Sequence, residues 1–181
     1  MATTKIQAAP QTAKRSFSAG SVISAIGRWI VRNRIYLIAF AIPAVLTYLA
    51  YALFGLYPFG EESVLCLDLN GQYVYYFEAL RDAFWGDGSI FYNWSRNLSG
   101  EFMGIIGYYL ASPFTLIVML LPEKFMLSSL LIMQLCKLGA AGATFNYFLQ
   151  TRRGVQPYPS LLFSTMYAMM AYGVIQLIDP M

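Results

Sequence analysis

Residues 35–59 form a run of 25 residues without a charged side chain, "IYLIAFAIPAVLTYLAYALFGLYPF". In helical form, about 20 consecutive apolar residues cover the hydrocarbon core of a bilayer. Pro43 interrupts the run, but a membrane helix accommodates such a proline with a kink. The run therefore predicts a first transmembrane helix over 35–59.

The whole chain has the composition of a membrane protein. Apolar residues make up 58% of it and charged residues only 12%, against about 25% charged residues in a soluble domain. Histidine is absent, which excludes histidine-based catalysis and histidine metal sites. Cys66 lies in a loop and Cys136 in an apolar run, so we expect no disulfide between them. The chain ends abruptly at "VIQLIDPM", and we expect it to be the N-terminal part of a longer polytopic protein.

Charge is distributed unevenly along the chain. Residues 1–34 carry six basic residues and no acid, whereas residues 57–104 carry seven acids and two basic residues. Because basic segments stay on the cytoplasmic side, residues 1–34 are predicted to be a basic cytoplasmic tail. The asymmetry indicates membrane topology, and no nucleic-acid partner is predicted. Within the tail, "SVISAIGRWIVRNR" is compatible with a short amphipathic surface helix or with a solvated basic segment.

Three more apolar segments follow, at 104–121, 125–150 and 157–178. If 104–121 crossed the membrane, Arg152 and Arg153 would lie outside, against the positive-inside rule. If it stays at the outer face as a bent surface or re-entrant helix, both arginines fall in a cytoplasmic loop at 151–156. We therefore predict crossings at 35–59, 125–150 and 157–178, a cytoplasmic N-terminus and an extracytoplasmic loop at 60–124.

The predicted loop contains an amphipathic segment. Tyr73, Phe77, Leu80 and Phe84 recur at helical spacing, with charged residues on the opposite face. A helix over 71–85 is expected to lie at the membrane surface. The predicted fold class is thus an all-α polytopic membrane protein whose large first external loop carries surface helices.

Asp68 and Lys137 are the leading candidates for chemistry. Asp68 lies just after the first predicted span, where its carboxylate could serve as a general base or orient a cation. An aspartate at that place could equally cap the following helix. Lys137 lies in an apolar segment, where a charge costs about 3 kcal/mol or more on insertion scales. It could contact a substrate, form a structural ion pair, or extend its stem to a polar region.

Other polar and aromatic groups are less specific. Glu61, Glu62 and Glu101 could hold a divalent cation through oxygen ligands, although a solvated acidic loop is the simpler interpretation. No cofactor and no defined metal-ligand set is predicted. Tyr108 and Tyr109 are typical of an interfacial aromatic belt, and "GAAGA" at 139–143 indicates close helix packing.

Several stretches taken together resemble the YfhO family of bacterial membrane proteins. The resemblance begins near Leu56 and continues to the end of the chain. Its first motif is D-x-x-x-Q-Y within "LDLNGQYVYYFEALRD", and its later motifs are "YNWSRNLSG" and Y-Y-x-x-S-P-F. The "KLGAAGATFNYFL" and "MYAMMAYGV" segments follow at plausible separations.

This resemblance implies a GT-C type glycosyltransferase in the bacterial cytoplasmic membrane. Such an enzyme would take a sugar from a polyprenyl-phosphate carrier and transfer it, on the outer face, to an envelope polymer such as teichoic acid. The resemblance implies that Asp68 is the catalytic base and that Gln72 and Tyr73 shape the acceptor side. It also implies that "SPFTLIVMLLP" is a surface helix. Tyr108, Tyr109 and Lys137 are the further candidate substrate-binding residues.

A non-enzymatic transporter or flippase subunit is the alternative function. Its support is Lys137 together with the kinked apolar spans, because intramembrane charge often marks a transport path. A purely structural membrane module is a third possibility, in which neither Asp68 nor Lys137 matters beyond stability.

Overall fold

The computed structural model describes residues 19–65, 67–94 and 100–178, and most of these are helical. The expected helical fold is confirmed, apart from one short hairpin. The chain divides into two compact units, residues 1–34 and 35–181. Cys66 lies outside the described residues.

Helix α1 extends from Ala19 to Leu53 and begins well before the predicted span. The sequence of residues 21–34 is compatible with either a surface helix or a solvated segment. In the structure, residues 19–34 are helical. No proline occurs between residue 19 and Pro43, so nothing in the backbone chemistry stops the helix earlier. It ends at Leu53, and Gly55 in the turn that follows adopts a positive φ of 63°, a conformation that favours glycine.

Helix α5, Met126–Arg153, packs closely against the part of α1 after residue 34. A Cβ atom on Gly139 would lie 2.8 Å from the Phe40 ring, and one on Gly142 would lie 2.4 Å from the Ala39 carbonyl oxygen. The two helix backbones can therefore meet only because these positions lack side chains. The Tyr51 hydroxyl donates a buried hydrogen bond to the Gln134 side-chain carbonyl across the same interface.

Helices α6, Pro157–Ala168, and α7, Ala171–Ile178, occupy the region predicted as one span over 157–178. The break falls at residues 169–170, where the sequence has two methionines and nothing in the structure explains it. Helix α6 is joined to α5 by buried polar groups. The Asn146 side-chain amide donates to the Ser160 hydroxyl at 3.0 Å and to the Ser164 hydroxyl at 3.3 Å.

Among the described residues, the helices long and apolar enough to span a membrane are those over Val22–Leu53 and Glu123–Arg153. The 28 residues of α5 correspond to roughly 42 Å at 1.5 Å per residue, more than the ~30 Å hydrocarbon core. Large apolar side chains on both helices are exposed, among them Leu46, Leu49 and Ile132. Such faces suit contact with lipid tails.

The region predicted as a helix over 104–121 is divided into short pieces. Helix α3, Met103–Ile105, leads into a π-helical turn at Ile106–Leu110, and helix α4 follows at Thr115–Leu120. The chain turns at Ser112 and Pro113, where proline supplies no amide hydrogen and the Thr115 amide donates to the Ser112 carbonyl at 3.0 Å. None of these pieces is long enough to cross a membrane alone.

The rest of the loop region folds over the start of α5. A π-helical turn at Leu69–Tyr73 continues into helix α2, Val74–Trp85, so the helical segment begins slightly before the predicted 71–85. An antiparallel hairpin of β1, Tyr92–Asn93, and β2, Gly100–Glu101, follows. The buried apolar side chains that join these elements to α3, α4 and α5 are Leu69, Tyr73, Phe77, Leu80, Phe102, Ile105, Leu110, Val118, Met119, Leu130 and Met133.

Candidate functional site

Asp68 lies directly before the π-helical turn, with its backbone at φ −68° and ψ −25°. Its side chain makes no capping hydrogen bond, although it occupies the N-cap position of that turn. The carboxylate instead accepts a hydrogen bond from the Gln72 side-chain amide at 3.3 Å. Asp68 is half-buried.

Tyrosine rings lie immediately beyond this pair. Tyr73 is buried, and its ring meets that of Tyr109 edge-on, with centroids 5.4 Å apart. Tyr76 also contacts Tyr109, at 5.3 Å, and Tyr108 contacts Tyr109 at 4.6 Å. The first and third motifs, far apart in sequence, are thus joined through aromatic contacts. Tyr108 is largely exposed, so it is available to a partner or to the membrane interface.

Lys137 lies apart from these residues, near the middle of α5, and is half-buried. Within the described part of the chain, no hydrogen bond or ion pair to its ammonium group is found. The structural ion pair considered from the sequence is therefore not formed by the residues that the structure describes.

The acids considered as cation ligands do not converge. Glu61 and Glu62 are exposed, and Glu101 accepts a hydrogen bond from the Gly104 amide at 2.7 Å, at the start of α3. No group of three or more Asp, Glu, Cys or His residues that could hold a metal ion occurs in the described ranges.

Arg81 has a structural role that the sequence pattern did not reveal. Its guanidinium donates to the carbonyls of Val118, Met119 and Leu121, at and just beyond the last turn of α4. The Trp85 indole adds a hydrogen bond to the Met119 carbonyl at 3.0 Å. Unpaired carbonyls at a helix end favour such cationic donors. Nothing in the local sequence indicates this contact, because the residues lie nearly 40 positions apart.

A cleft of about 330 Å³ lies between α2 and the β1 strand. Three carboxylates line it, those of Glu78, Asp82 and Asp87. Partial burial, then the charges of Glu123 and Asp82, raise the pKa of Glu78 above its usual value. The spacing of Glu78 and Asp82, four positions apart on one helix, was a sequence signal for like charges on one face. The aromatic side chains that line the same cleft are Tyr75, Tyr76, Tyr92 and Trp94.

These features define what the region can do chemically. A carboxylate oriented by an amide can accept a proton from a hydroxyl group, and neighbouring tyrosines can pack against a ligand and donate hydrogen bonds to it. Among the described residues, the Arg81 guanidinium is engaged by the end of α4 and is therefore not free to bind a phosphate.

Comparison with known proteins agrees with the motifs. The model of the family described as "Bacterial membrane protein YfhO" matches residues 39–181. Searches of curated proteins and of solved structures returned no match. The match covers most of the chain and includes both the Asp68–Gln72 pair and the tyrosine contacts. With its two apolar helices of membrane-spanning length, the chain is a membrane protein that belongs to the YfhO family.

Proposed function

We propose that the protein takes part in transferring a sugar from a polyprenyl-phosphate carrier to an envelope acceptor such as teichoic acid. The reaction occurs on the outer face of the bacterial cytoplasmic membrane, in a GT-C type enzyme whose N-terminus is cytoplasmic. Asp68 is the general base. Gln72 and Tyr73 shape the acceptor side, and Tyr108, Tyr109 and Lys137 are further substrate contacts.

The carboxylate of Asp68 is the observation that carries this proposal. Its N-cap position would suit a purely structural cap, yet no backbone amide uses it. Its partner in the described part of the chain is the Gln72 amide, one helical turn away, which orients the carboxylate without neutralising it. The contact of Tyr73 with Tyr109 then brings the Y-Y-x-x-S-P-F motif beside the same helix start.

The chemistry needs one proton acceptor and one leaving group. The acceptor hydroxyl oxygen attacks the anomeric carbon, and the bond from that carbon to the phosphate oxygen breaks. The lipid phosphate leaves with the bonding electrons, while Asp68 accepts the hydroxyl proton. The short pieces of the 104–121 region support a surface location for this segment, since the longest of them, α4, has six residues.

Replacing Asp68 by Asn tests the proposal directly. Asn keeps the size and the capping ability of Asp but cannot accept the proton. In the bacterium, with equal membrane levels of both proteins, we expect Asp68→Asn to lower sugar on envelope polymers by about 100-fold or more. Glu61→Gln, which removes an exposed acid of the same loop, is the matched control. Unchanged decoration in Asp68→Asn would refute the role of Asp68 as the base. Repeating the transfer assay with a chelator tests whether a divalent cation is also required.

A transporter or flippase subunit is the second candidate, and Lys137 favours it. This lysine lies in a helix of membrane-spanning length and has no ion-pair partner in the described residues. A transport function predicts that Lys137→Met abolishes function while Asp68→Asn is tolerated. The glycosyltransferase predicts that Asp68→Asn abolishes decoration, whereas Lys137→Met, at a substrate contact, lowers it less, so one decoration assay on both variants separates the two functions.

A further inference from the structure

The cleft between α2 and β1 is not part of the pair formed by Asp68 and Gln72. One wall is the outer face of α2, and the opposite wall is formed by the turn at residues 87–89 and by β1. Glycines hold the turn against the helix. A Cβ atom on Gly88 would lie 2.8 Å from the Asp82 carbonyl carbon, and the Gly88 amide donates to the Asp82 carbonyl at 3.0 Å. The wall is thus fixed by the backbone itself.

The described part of the fold makes no use of the carboxylates of the cleft. In the ranges that the structure describes, no group donates a hydrogen bond to the side chains of Glu78, Asp82 or Asp87, and none forms an ion pair with them. Among the residues that the structure describes, no Lys or Arg lines the cleft. Carboxylates that accept no bond from the protein are available to the hydroxyl groups of a ligand. An anionic ligand is disfavoured, because its charge would be repelled by three acids.

Aromatic rings provide the apolar part of the same cleft. Tyr92 and Trp94 lie two positions apart on an extended segment, so both point to one face. Their rings meet at 4.8 Å with an interplanar angle of 67°. Trp94 is 82% exposed and Tyr75, on the facing helix, 61%. Exposed rings beside hydrogen-bond acceptors suit a ligand with both C–H faces and hydroxyl edges, because aromatic faces are electronegative and attract C–H groups.

We propose that this cleft binds a neutral saccharide unit, with Trp94 and Tyr75 packing against the sugar ring and the Asp82 and Asp87 carboxylates accepting hydrogen bonds from its hydroxyls. The volume of about 330 Å³ is at the lower end of the range for small-molecule sites and suits one or two sugar rings. Asp68 and Glu78 are ten positions apart on the same helical segment, roughly 15 Å at 1.5 Å per residue.

The inference deepens the proposed function, on which it rests for its role: the cleft would hold a neutral sugar of the acceptor a short distance from the base at Asp68. The two proposals are tested by different measurements, because binding of a sugar to the cleft can be measured without sugar transfer. A polyol phosphate backbone would not occupy the cleft itself, owing to the three acids.

Saturation-transfer NMR on the purified full chain in detergent tests the site. The probes are the methyl glycosides of glucose, galactose, N-acetylglucosamine and N-acetylgalactosamine, with glycerol 3-phosphate as an anionic polyol and Ca²⁺ as a competing cation. We expect at least one neutral glycoside to bind, and binding to weaken at least fivefold in Trp94→Ala and in Asp82→Asn. Phe91→Ala and Glu61→Gln are matched controls, because both side chains are exposed and neither lines the cleft.

Each outcome decides the proposal. Loss of binding in Trp94→Ala and Asp82→Asn, but not in the controls, supports it. Binding of none of the four glycosides, equal binding in all variants, or a preference for glycerol 3-phosphate would overturn it. Displacement of the sugar by Ca²⁺, with Ca²⁺ binding lost in Asp82→Asn and unaffected by Trp94→Ala, would assign the cleft to a cation instead. Should Asp82→Asn unfold, Asp87→Asn on the turn replaces it. Asp68→Asn should still bind the glycoside. An error in the role of Asp68 as the base and an error in the assignment of the cleft therefore give different results.

Discussion

At the scale of single residues, the carboxylates of this protein are distinguished by what contacts them. Glu101 is used by the fold, because it accepts the Gly104 amide at the start of α3. Among the described residues, the carboxylate of Asp68 accepts a hydrogen bond from a side-chain amide and not from the backbone. Glu78 has no hydrogen-bonding partner among the described residues and lies near two other acids, Glu123 and Asp82. The same functional group is therefore structural in one place and available for chemistry in the others.

Glu78 predicts a pH dependence of stability. Its pKa is raised first by burial and then by the nearby charges of Glu123 and Asp82, so the folded state binds the proton more tightly than the unfolded state. Protonated Glu78 thus contributes to the stability of the folded state. This contribution is fully present below the unfolded-state pKa of about 4.3 and is lost as pH rises through the folded-state pKa. Glu78→Gln should therefore raise the melting temperature at pH 7.5 by a small amount, and this gain should vanish near pH 4.

Thermal unfolding in detergent across that pH range measures the effect. Glu61→Gln is the control, because Glu61 is an exposed acid of the same region. An equal gain at pH 7.5 and pH 4, or an equal gain in the control, would mean that the charge of Glu78 is not unfavourable in the folded protein.

At the scale of elements, short helices depend on side chains from elsewhere. Helix α4 has six residues, which is too short to be stable alone, and its terminal carbonyls have no partner within the helix. The Arg81 guanidinium and the Trp85 indole from α2 supply the missing donors. Side chains of α2 therefore stabilise the end of α4, and the two helices share the apolar cluster between them.

Arg81→Met should weaken the contact between α2 and α4. Methionine keeps much of the apolar stem but donates no hydrogen bond, and charge-assisted bonds contribute about 1.5–3 kcal/mol. We expect a loss of about 2 kcal/mol in unfolding free energy and faster amide hydrogen exchange at residues 115–121. Arg81→Lys, which keeps one charged donor, should lie in between. A methionine variant with unchanged exchange in α4 would show that the contact contributes nothing.

The crossing of α1 and α5 gives a second prediction at this scale. Gly142→Ala would place a Cβ atom 2.4 Å from the Ala39 carbonyl oxygen, and backbone cannot yield as a side chain does. Overpacking of this kind costs about 1–3 kcal/mol, which we expect as a lower melting temperature.

Gly27→Ala is the matched control, because a Cβ atom there meets nothing within 4 Å and alanine is the better helix former by about 1 kcal/mol. The two variants should thus shift stability in opposite directions. A stabilised Gly142→Ala protein would show that the close approach of the backbones is not maintained in solution.

At the scale of the whole molecule, topology is the testable property. The loop region packs on the start of α5, and α5 ends at Gly154 after Arg152 and Arg153. If α5 crosses the membrane once, as the sequence predicts, positions near Glu61 and near Arg152 face opposite sides. In a background of Cys66→Ser and Cys136→Ser, a membrane-impermeant thiol reagent should label Glu61→Cys in intact cells. Arg152→Cys should be labelled only after the membrane is opened. Labelling of both in intact cells would contradict the predicted cytoplasmic loop.

Local sequence patterns were sufficient to predict that this is a membrane protein of the YfhO family. The uncharged run at 35–59 and the apolar segment at 125–150 require lipid or burial whatever their surroundings, and motifs such as D-x-x-x-Q-Y are local patterns that need no tertiary context. The small residues at 139–143 also indicated close packing correctly, because small side chains between two helices allow their backbones to approach closely.

Tertiary structure alone decided which distant groups meet. The pairing of Tyr73 with Tyr109, the contact of Arg81 with the end of α4 and the cleft between α2 and β1 all join residues from separate elements. The break of the predicted 157–178 span also had no local signal. Spacing along the chain reports which residues share a face of one element, whereas the partner of that face is chosen by packing over the whole fold.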